Sequence, residues 1–501
     1  MDRISSLTTE DVKYNGAHQY GTLLADIYIK NGFLLTMRGE GLGTIENGAL
    51  AVEGQNIVAV GKTHELDKKY GNSEKVIDAR GKAILPGFVD VHIHTGHTII
   101  RGEAQDVPEI EWMLKAMAPF DKYTTPQHSI AAGALGVLEG VKSGVTTFGE
   151  IGINEGQVAE KVFIPSGVRA NIADTVNEIG PNSRPDVNKP YIFDALLGEQ
   201  KMKAAIDLVE KWDGSGDGRI SCIFSPHGAD MMSKDLLLRV KEEAVKRGKL
   251  SHIHVAQGGR EAIQIKLRYN TTTIKYLDSL GFLDDKVIAA HCHQTTDDEV
   301  SIIAERGVRY ASCPASIALI DGIVPPLALF LQQGGRYAGL GSDQAPGSTG
   351  HNMLVGMKVA ALLNKVRHRD PTVLPAWQML RIATIEGANT IGLGDKIGSL
   401  ETGKKADLII IDLKAPHMVP TITRPVRNVA PNIVYYSRGD EVETVIVNGR
   451  FVVDRRRCVT LDEEEVMKNA QAAADEVTAK AADDFMAADS YLAKAVKRGL
   501  L

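Results

Sequence analysis

Three His-x-His pairs and one aspartate are the residues of this chain best suited to metal chemistry. With 14 histidines in 501 residues, about 0.4 such triplets are expected by chance. The residues concerned are His92 with His94, His252 with His254, His291 with His293, and Asp343. Since residues i and i+2 of a strand point to the same side, both histidines of a pair can reach one point. Imidazole nitrogens suit a divalent ion such as zinc at about 2.0–2.1 Å, with a position left open for water. The alternative is a set of core histidines hydrogen-bonded to their neighbours.

Each of these polar groups follows an apolar stretch. Residues 287–290 lead into His291, and residues 338–342 lead into Asp343. Buried parallel strands are almost wholly apolar, so polar residues at their carboxyl ends are exceptional. A barrel of parallel strands places its active site at those ends.

The middle of the chain alternates short apolar strands with helical segments, as βα units do. The predicted strands are Phe88–His94, Val145–Ile151, Arg169–Thr175, Ile220–His227, Leu250–Gln257, Val287–His293, Arg309–Ser316 and Arg336–Asp343. Helices are predicted between several of them, at Gln127–Lys142, Lys234–Arg247 and Asp297–Arg306. About eight units predict an α/β fold of the (β/α)8 TIM-barrel type. An open doubly wound sheet is the alternative.

At both ends of the chain, apolar and polar residues alternate as in half-buried β-strands. This alternation is found in residues 26–32, 49–54 and 57–61, and again in residues 406–412 and 442–449. We therefore expect a small β-sandwich domain built from residues 1–86 and 396–460, with the barrel at 87–395. A helical tail rich in Ala, Glu and Lys follows at 461–501. This tail could pack on its own subunit or on a neighbour.

Composition excludes several classes of protein. Hydrophobic residues are 44% and charged residues 24% of the chain, which is ordinary for a soluble globular protein. A formal charge of −6 leaves no basic excess for a nucleic-acid partner. No apolar run approaches the ~18 residues of a membrane span, and the polar segment Met1–Gly21 lacks the order of a secretory signal. The four cysteines are too few and scattered for a disulfide scaffold. We expect a cytoplasmic enzyme.

Several motifs together resemble the amidohydrolase superfamily, in its branch of metal-dependent chlorohydrolases and aminohydrolases. That branch includes triazine hydrolases, guanine deaminase and S-adenosylhomocysteine deaminase. The resemblance spans about Leu23 to Val453. Its landmarks are residues 85–94 (LPGFVDVHIH), 143–148 (SGVTTF), 290–292 (AHC), 341–343 (GSD), 397–400 (IGSL) and 403–408 (GKKADL).

The resemblance implies one divalent metal ion and assigns its ligands. These would be His92, His94, His254 and Asp343, with His291 as a further ligand or as a hydrogen-bond partner of the bound water. No lysine stands at a strand end where a carbamylated bridging residue would be expected, which favours one ion over two. Zinc is the expected ion, although iron, cobalt and manganese tolerate such ligands.

The resemblance also implies the substrate side of the site. His227, in the segment Ser225-Pro226-His227, resembles a histidine that contacts substrate. The segment Gly96–Gly102 and the surroundings of Trp112 resemble the lid and pocket region. For Trp112, packing inside a helix layer is the alternative.

This chain departs from the branch at three positions. Gln257 stands where the branch has a glutamate that shuttles a proton, and a carboxamide cannot donate and retake a proton near neutral pH. His293 comes one position earlier than the usual histidine, and Cys313 precedes Pro314 where histidine is common. These departures argue against ring-protonating deamination but leave attack by a metal-activated water unaffected.

The expected reaction is hydrolysis of a C–N bond at an electron-poor sp² carbon, in an N-heterocycle or a urea-like compound, with release of ammonia or an amine. Asp343 would move the proton of the water, and His291 would orient the water and polarise the substrate. Gln257, His227 and His293 would hold the substrate, or Gln257 would support a metal ligand.

Two other functions stay open. The same site could expel a carbamate, thiocarbamate or halide group, which needs less ring protonation. A catalytically silent binding protein is the third hypothesis, and the intact ligand set argues against it. Relatives are commonly homo-oligomers, so we expect a small-molecule substrate and a homo-oligomeric enzyme.

Overall fold

The computed structural model describes residues 25–180 and 186–501. The segment Met1–Gly21, on which the absence of a secretory signal was predicted, lies outside the described residues, as does the beginning of the predicted N-terminal domain. The sheets at the two ends of the chain and the βα units between them fall inside the described part.

The described residues form nineteen β-strands. They are β1 (Ile27–Leu35), β2 (Thr44–Glu53), β3 (Asn56–Lys62), β4 (Lys75–Asp78), β5 (Lys82–Pro86), β6 (Phe88–His94), β7 (Val145–Gly152), β8 (Arg169–Val176), β9 (Ile220–Cys222), β10 (Ser225–Pro226), β11 (Ser251–Val255), β12 (Val287–His291), β13 (Arg309–Ser312), β14 (Tyr337–Leu340), β15 (Asp343–Gln344), β16 (Leu408–Asp412), β17 (Val442–Val447), β18 (Arg450–Asp454) and β19 (Arg457–Cys458).

The helices are numbered in the same way. They are α1 (Thr63–Tyr70), α2 (Glu109–Glu111), α3 (Ala118–Asp121), α4 (Pro126–Lys142), α5 (Glu155–Val158), α6 (Ile164–Ser166), α7 (Ala195–Trp212), α8 (Ser215–Gly218), α9 (Lys234–Lys246), α10 (Gly259–Tyr269), α11 (Thr273–Ser279), α12 (Asp297–Glu305), α13 (Pro314–Ile320), α14 (Leu327–Gln332), α15 (Met353–His368), α16 (Ala376–Ile382), α17 (Ile385–Thr390), α18 (Val429–Tyr436), α19 (Glu463–Ala487) and α20 (Tyr491–Lys497). Short 3₁₀ helices lie at Thr95–Ile100 and Ala345–Gly347, and π-helical turns at Trp112–Met117 and Ala159–Phe163.

The central part is an α/β fold with parallel strands, like that of a TIM barrel. Each predicted strand overlaps an observed one, although Ile220–His227 divides into β9 and β10, and Arg336–Asp343 into β14 and β15. One sheet pairs β15, β6, β7 and β8, with β9 and β10 both on β8. A second sheet runs β11, β12, β13 and β14. All pairs in these two sheets are parallel.

Local signals place the helices between these strands. Thr296 caps α12, and its hydroxyl and the Glu299 carboxylate satisfy each other's backbone N–H groups. Gly248, with φ of +65°, follows α9 in a backbone conformation that ends a helix. The three helices predicted from periodicity are observed within one residue of their predicted ends.

Strands from the two ends of the chain share one sheet. Nine described strands form it, in the order β19-β18-β17-β16-β5-β1-β2-β3, with β4 beside β1. The two ends meet where β5 and β16 pair antiparallel, Ile84 opposite Ile410. Arg169, at the start of β8, donates two hydrogen bonds, of 2.8 and 3.1 Å, to Asp407, which directly precedes β16. This buried pair ties the terminal sheet to the base of the parallel strands.

The predicted helical tail consists of α19 and α20, and α19 lies on its own chain. Its buried residues are Ala470, Ala473, Val477 and Ala481, spaced three or four apart so that they share one face. That face joins an apolar cluster with Ile99, Ile100 and Trp112. Among the described residues, none of the helices combines the length and the apolar composition that a bilayer crossing requires.

Candidate metal centre and active site

Ligand atoms from four strand ends converge on one point. His94 Nε2 lies 3.3 Å from His254 Nε2 and 3.6 Å from Asp343 Oδ1. His92 Nε2 lies 3.9 Å from the same Asp343 oxygen. Two ligand atoms bound at about 2.1 Å to one tetrahedral ion would be about 3.4 Å apart, so this spacing is suited to a shared ion. His291 joins the group, since one of its ring nitrogens lies within 4.8 Å of ligand atoms of His92 and His254.

Three of these histidines present Nε2 to the centre because their Nδ1 atoms already have hydrogen-bond partners. His94 Nδ1 donates to the Ile151 carbonyl at 2.5 Å, and His254 Nδ1 donates to the His227 carbonyl at 2.8 Å. His92 Nδ1 lies 3.0 Å from His252 Nε2, which leaves His92 Nε2 for the centre. Such outer partners fix the tautomer of a ligand histidine and orient its ring.

The protonation of the histidines also suits a cation. Burial, together with the neighbouring histidines, holds the pKa of His92, His254 and His291 well below the ordinary value. Burial likewise lowers the pKa of His94, although Asp343 opposes this effect. The rings are therefore neutral at pH 7, and a neutral imidazole offers the lone pair that a metal needs.

Asp343 is held by a neighbour that sequence reasoning missed. Ser316, on α13, donates its hydroxyl hydrogen to Asp343 Oδ2 at 2.5 Å, and Oδ1 is left facing the histidines. Burial raises the pKa of the Asp343 carboxyl above its usual value. A carboxyl with a raised pKa can accept a proton more readily during a reaction.

The backbone that carries two of these residues is strained. His291 and Asp343 have φ of +74° and +63°, and Cys292 has φ of +48°, in the left-handed region. Non-glycine residues held there cost about 1–3 kcal/mol each and cluster at functional sites. No local sequence pattern predicts these conformations, since glycine, the usual residue at such positions, is absent from all three.

Unsatisfied buried atoms provide the test of whether these residues fit a metal. Within the described chain, His92 Nε2, His291 Nδ1 and Asp343 Oδ1 are buried and have no hydrogen-bond partner. Leaving such groups unpaired is costly, and one divalent ion bound to a neutral histidine set and a carboxylate would satisfy them. Cys313 Sγ lies near His291 and Asp343, and burial raises the pKa of its thiol well above the usual value.

The predicted substrate-side histidines lie around this centre. The His227 ring is 5.2 Å from the His254 ring, centroid to centroid, and His227 Nδ1 accepts a hydrogen bond from Asn177 at 2.8 Å. His293 lies 6.3 Å from His291 by ring centroids. It donates from Nε2 to Asp321 at 2.5 Å, a carboxylate that the sequence motifs did not indicate.

Gln257 and Trp112 have different surroundings. Gln257 is half-buried, and its backbone N–H donates to Glu261 at 2.8 Å. Trp112 lies in the apolar cluster with Ile99 and Ile100 and is only 7% exposed, so its packing role is observed directly. Its contact with a substrate stays a prediction.

Parallel strands with a candidate His/Asp metal site at their carboxyl ends define an α/β fold like that of a TIM barrel, and comparison with known proteins gives the family. Residues 83–452 match the amidohydrolase family. The chain belongs to this family of hydrolases, which confirms the resemblance of its motifs and the prediction of an enzyme that hydrolyses C–N bonds other than peptide bonds.

Individual relatives are similar over almost their whole length. The chain is 33% identical over 458 residues to 5'-deoxyadenosine deaminase of Methanosarcina acetivorans, covering 91% of this chain and 100% of the relative. It is 34% identical over 449 residues to 5-methylthioadenosine/S-adenosylhomocysteine deaminase of Pelotomaculum thermopropionicum, covering 89% and 98%. Among solved structures, an adenosine deaminase from Xanthomonas campestris with bound zinc superposes with a TM-score of 0.82 at 25% identity, covering 91% and 99%.

Proposed function

We propose that the chain is a metal-dependent aminohydrolase that removes ammonia or an amine from an N-heterocycle by means of one zinc ion. The observation that carries this proposal is the convergence of buried, unpartnered ligand atoms from His92, His291 and Asp343 within the described structure. His94 and His254 complete the proposed ligand set. The zinc in the Xanthomonas relative and the deaminase names of the sequence relatives support it.

The protein's own groups would handle the protons of the reaction. A bound divalent ion lowers the pKa of a coordinated water from 15.7 toward about 7 and so supplies a nucleophile at neutral pH. Asp343 would accept the water proton and return it to the leaving nitrogen. Ser316 donates to Oδ2 and so holds the carboxylate with Oδ1 facing the histidines.

The remaining predicted residues would bind and orient. His291 would hold the attacking water and polarise the acceptor atom of the substrate. His227, His293 and Gln257 would hold the ring, with Asp321 fixing the orientation of His293. Trp112 would close the pocket from the apolar side.

Gln257 favours a second candidate reaction at the same site. Because a carboxamide cannot transfer a proton to a ring nitrogen, a carbamate, thiocarbamate or halide leaving group would suit the chain better than an amine. Gln257→Glu separates the two reactions. A gain in ammonia release would favour the second candidate, and a loss would favour C–N hydrolysis.

The test of the proposed function is metal-dependent ammonia release. The purified protein is stripped with a chelator, reloaded with one equivalent of zinc, and supplied with 5'-deoxyadenosine, 5'-methylthioadenosine, S-adenosylhomocysteine and guanine. We expect release from at least one compound, dependent on zinc and lost in His254→Ala. His64→Ala is the matched control, because the His64 side chain is 76% exposed on α1. No zinc-dependent release from any compound would refute the proposal.

We also propose the finer architecture. The parallel strands form a closed (β/α)8 barrel over residues 87–395, supported by the pairing of β15 with β6 and by bridges from Phe224 to Ser251 and from Gly228 to His254. Residues 1–86 and 396–460 form the β-sandwich domain, and residues 461–501 form the tail. A homo-oligomer and a cytoplasmic location stay predictions.

A further inference from the structure

Two buried polar atoms border one small space beside the proposed metal centre. Gly228 follows β10, and its backbone pairs with that of His254. A Cβ atom on Gly228 would lie 2.9 Å from Asp230 Oδ1 and 3.4 Å from Gln257 Nε2. In the described part of the chain, neither of these atoms has a hydrogen-bond partner. A hydrogen-bond acceptor and a donor therefore lie close together beside Gly228, where a Cβ atom would crowd Asp230 Oδ1 and where glycine leaves both atoms uncovered.

Arg260 determines which oxygen of Asp230 faces that space. The Arg260 guanidinium forms an ion pair with Asp230 Oδ2, and both side chains are 0% exposed. On its other side, Arg260 Nε lies 3.3 Å from Glu109 Oε1. Arg260 thus balances the charge of Asp230 and holds its Oδ2, so Oδ1 is the oxygen that remains. A fully buried carboxylate oxygen without a partner is costly, and so a ligand or a water is expected there.

We propose that Asp230 Oδ1 and Gln257 Nε2 form a substrate-recognition pair for a ring edge that presents an N–H group beside a carbonyl oxygen. This inference rests on the proposed function and names its substrate class: aminated heterocycles with a lactam edge. An ionised carboxylate only accepts hydrogen bonds, and an amide nitrogen only donates them. The ring N–H donates to Asp230, and the ring carbonyl accepts from Gln257.

The pair also gives a reason for glutamine at position 257. A glutamate there would add another carboxylate beside Asp230, which already interacts with the buried Glu261, and like charges in a buried site disfavour each other. It would also offer an acceptor to the carbonyl oxygen, which needs a donor. Gln257 lies three residues after the proposed ligand His254, so the edge it contacts belongs to the reacting ring rather than to a remote substituent.

The experiment compares ring-edge binding in matched variants of the zinc-loaded full chain. Isothermal titration calorimetry measures the dissociation constants of uracil and hypoxanthine, which carry the same edge but no amino group to be released, and of each compound methylated at the ring nitrogen beside the carbonyl. We expect the wild type to prefer the unmethylated compounds by about tenfold to a hundredfold, as for a hydrogen bond to a charged group. Asp230→Asn should reduce this preference to near unity.

Gly228→Ala tests the same space without changing a charge. Its Cβ would lie 2.9 Å from Asp230 Oδ1, closer than an ordinary contact, and 3.4 Å from Gln257 Nε2, so both forms of each compound should bind weakly. Asp235→Asn, on the exposed face of α9, is the control and should keep the wild-type preference. Zinc content and the thermal midpoint report whether each variant is folded.

The outcomes separate this inference from the proposed function. If the wild type binds methylated and unmethylated compounds equally, or binds neither, the space holds only water and the inference is wrong, whatever the result of the ammonia assay. If Asp230→Asn alone removes the preference while no compound releases ammonia, the recognition pair stands and the proposed function fails.

Discussion

At the scale of single residues, the histidines of the three His-x-His pairs have different roles. Both histidines of the first pair, His92 and His94, present Nε2 near Asp343. In the second pair only His254 presents Nε2 to the centre, 3.3 Å from His94 Nε2, because the His252 ring instead contacts His92 Nδ1. The ring of His293 is likewise paired with a carboxylate, that of Asp321. Spacing brings a histidine to the centre, and its neighbours decide its role.

The contact between His252 and His92 predicts an indirect effect on metal binding. In His252→Ala the Nδ1–H of His92 loses its acceptor, so the ligand ring is less well oriented and less basic. We expect zinc affinity to fall by about 10–100-fold, as for other outer partners of metal ligands. Competition with a zinc-binding dye at fixed pH measures it. His252→Gln, which retains an acceptor, should recover part of the loss, and an unchanged affinity in His252→Ala would contradict this role.

At the scale of elements, the terminal sheet and the parallel strands are joined by a buried charge pair. The side chains of Arg169 and Asp407 are 3% and 2% exposed, and Asp407 Oδ1 also accepts from the backbone of Asn448 at 2.8 Å. One aspartate thus connects the start of β8, the approach to β16 and the turn after β17. Removing it would leave an uncompensated buried guanidinium.

Asp407→Ala should therefore destabilise the protein by about 3–5 kcal/mol, the usual effect of breaking a buried pair from one side. Urea unfolding followed by circular dichroism measures the change. The matched control is Glu199→Ala, which removes the partner of Arg239 from an exposed pair with side chains 55% and 48% exposed. That control should change stability by less than about 1 kcal/mol. Equal effects of the two substitutions would show that the buried pair does not join the two sheets.

At the scale of the whole molecule, a buried histidine and a buried glutamate make the stability of the fold depend on pH in opposite directions. Burial lowers the pKa of His351 to about 3, and the ring is held between Thr98 and Ser342. Burial, followed by the charges of Glu150 and Asp174, raises the pKa of Glu155 well above its usual value. The folded protein therefore keeps His351 neutral and Glu155 protonated in conditions where the unfolded chain would not.

The signs of the two contributions follow from proton binding. Between about pH 3 and pH 6.5 only the unfolded chain protonates His351, so its contribution to stability falls as the pH falls. Above about pH 4.5 only the folded chain keeps Glu155 protonated, so its contribution is present at low pH and is lost as the pH rises. Each slope is about 1.4 kcal/mol per pH unit well inside its window.

Two variants with opposite trends test this. Relative to the wild type, His351→Gln should become more stable as the pH falls from 6.5 to 4.5. Glu155→Gln should become more stable as the pH rises over the same interval. Urea unfolding of the three proteins at constant zinc concentration measures both trends, and parallel curves for all three would contradict the assigned protonation states.

The sequence by itself determined the strands of the central part, their order along the chain and the residues at their ends. Period-two alternation and helix caps such as Thr296 act over a few residues, because chain geometry fixes which side chains share a face. The histidine pairs and Asp343 could therefore be assigned to strand ends from the order of the residues alone.

Only the tertiary structure decided which of those groups meet. Asp230 comes to face Gln257, and Asp321 reaches His293, across 27 and 28 positions of sequence. The strained backbone of His291 and Asp343 has no local signature either, since the surrounding packing imposes it. Contacts between distant segments depend on how whole layers pack, and no short-range periodicity carries that information.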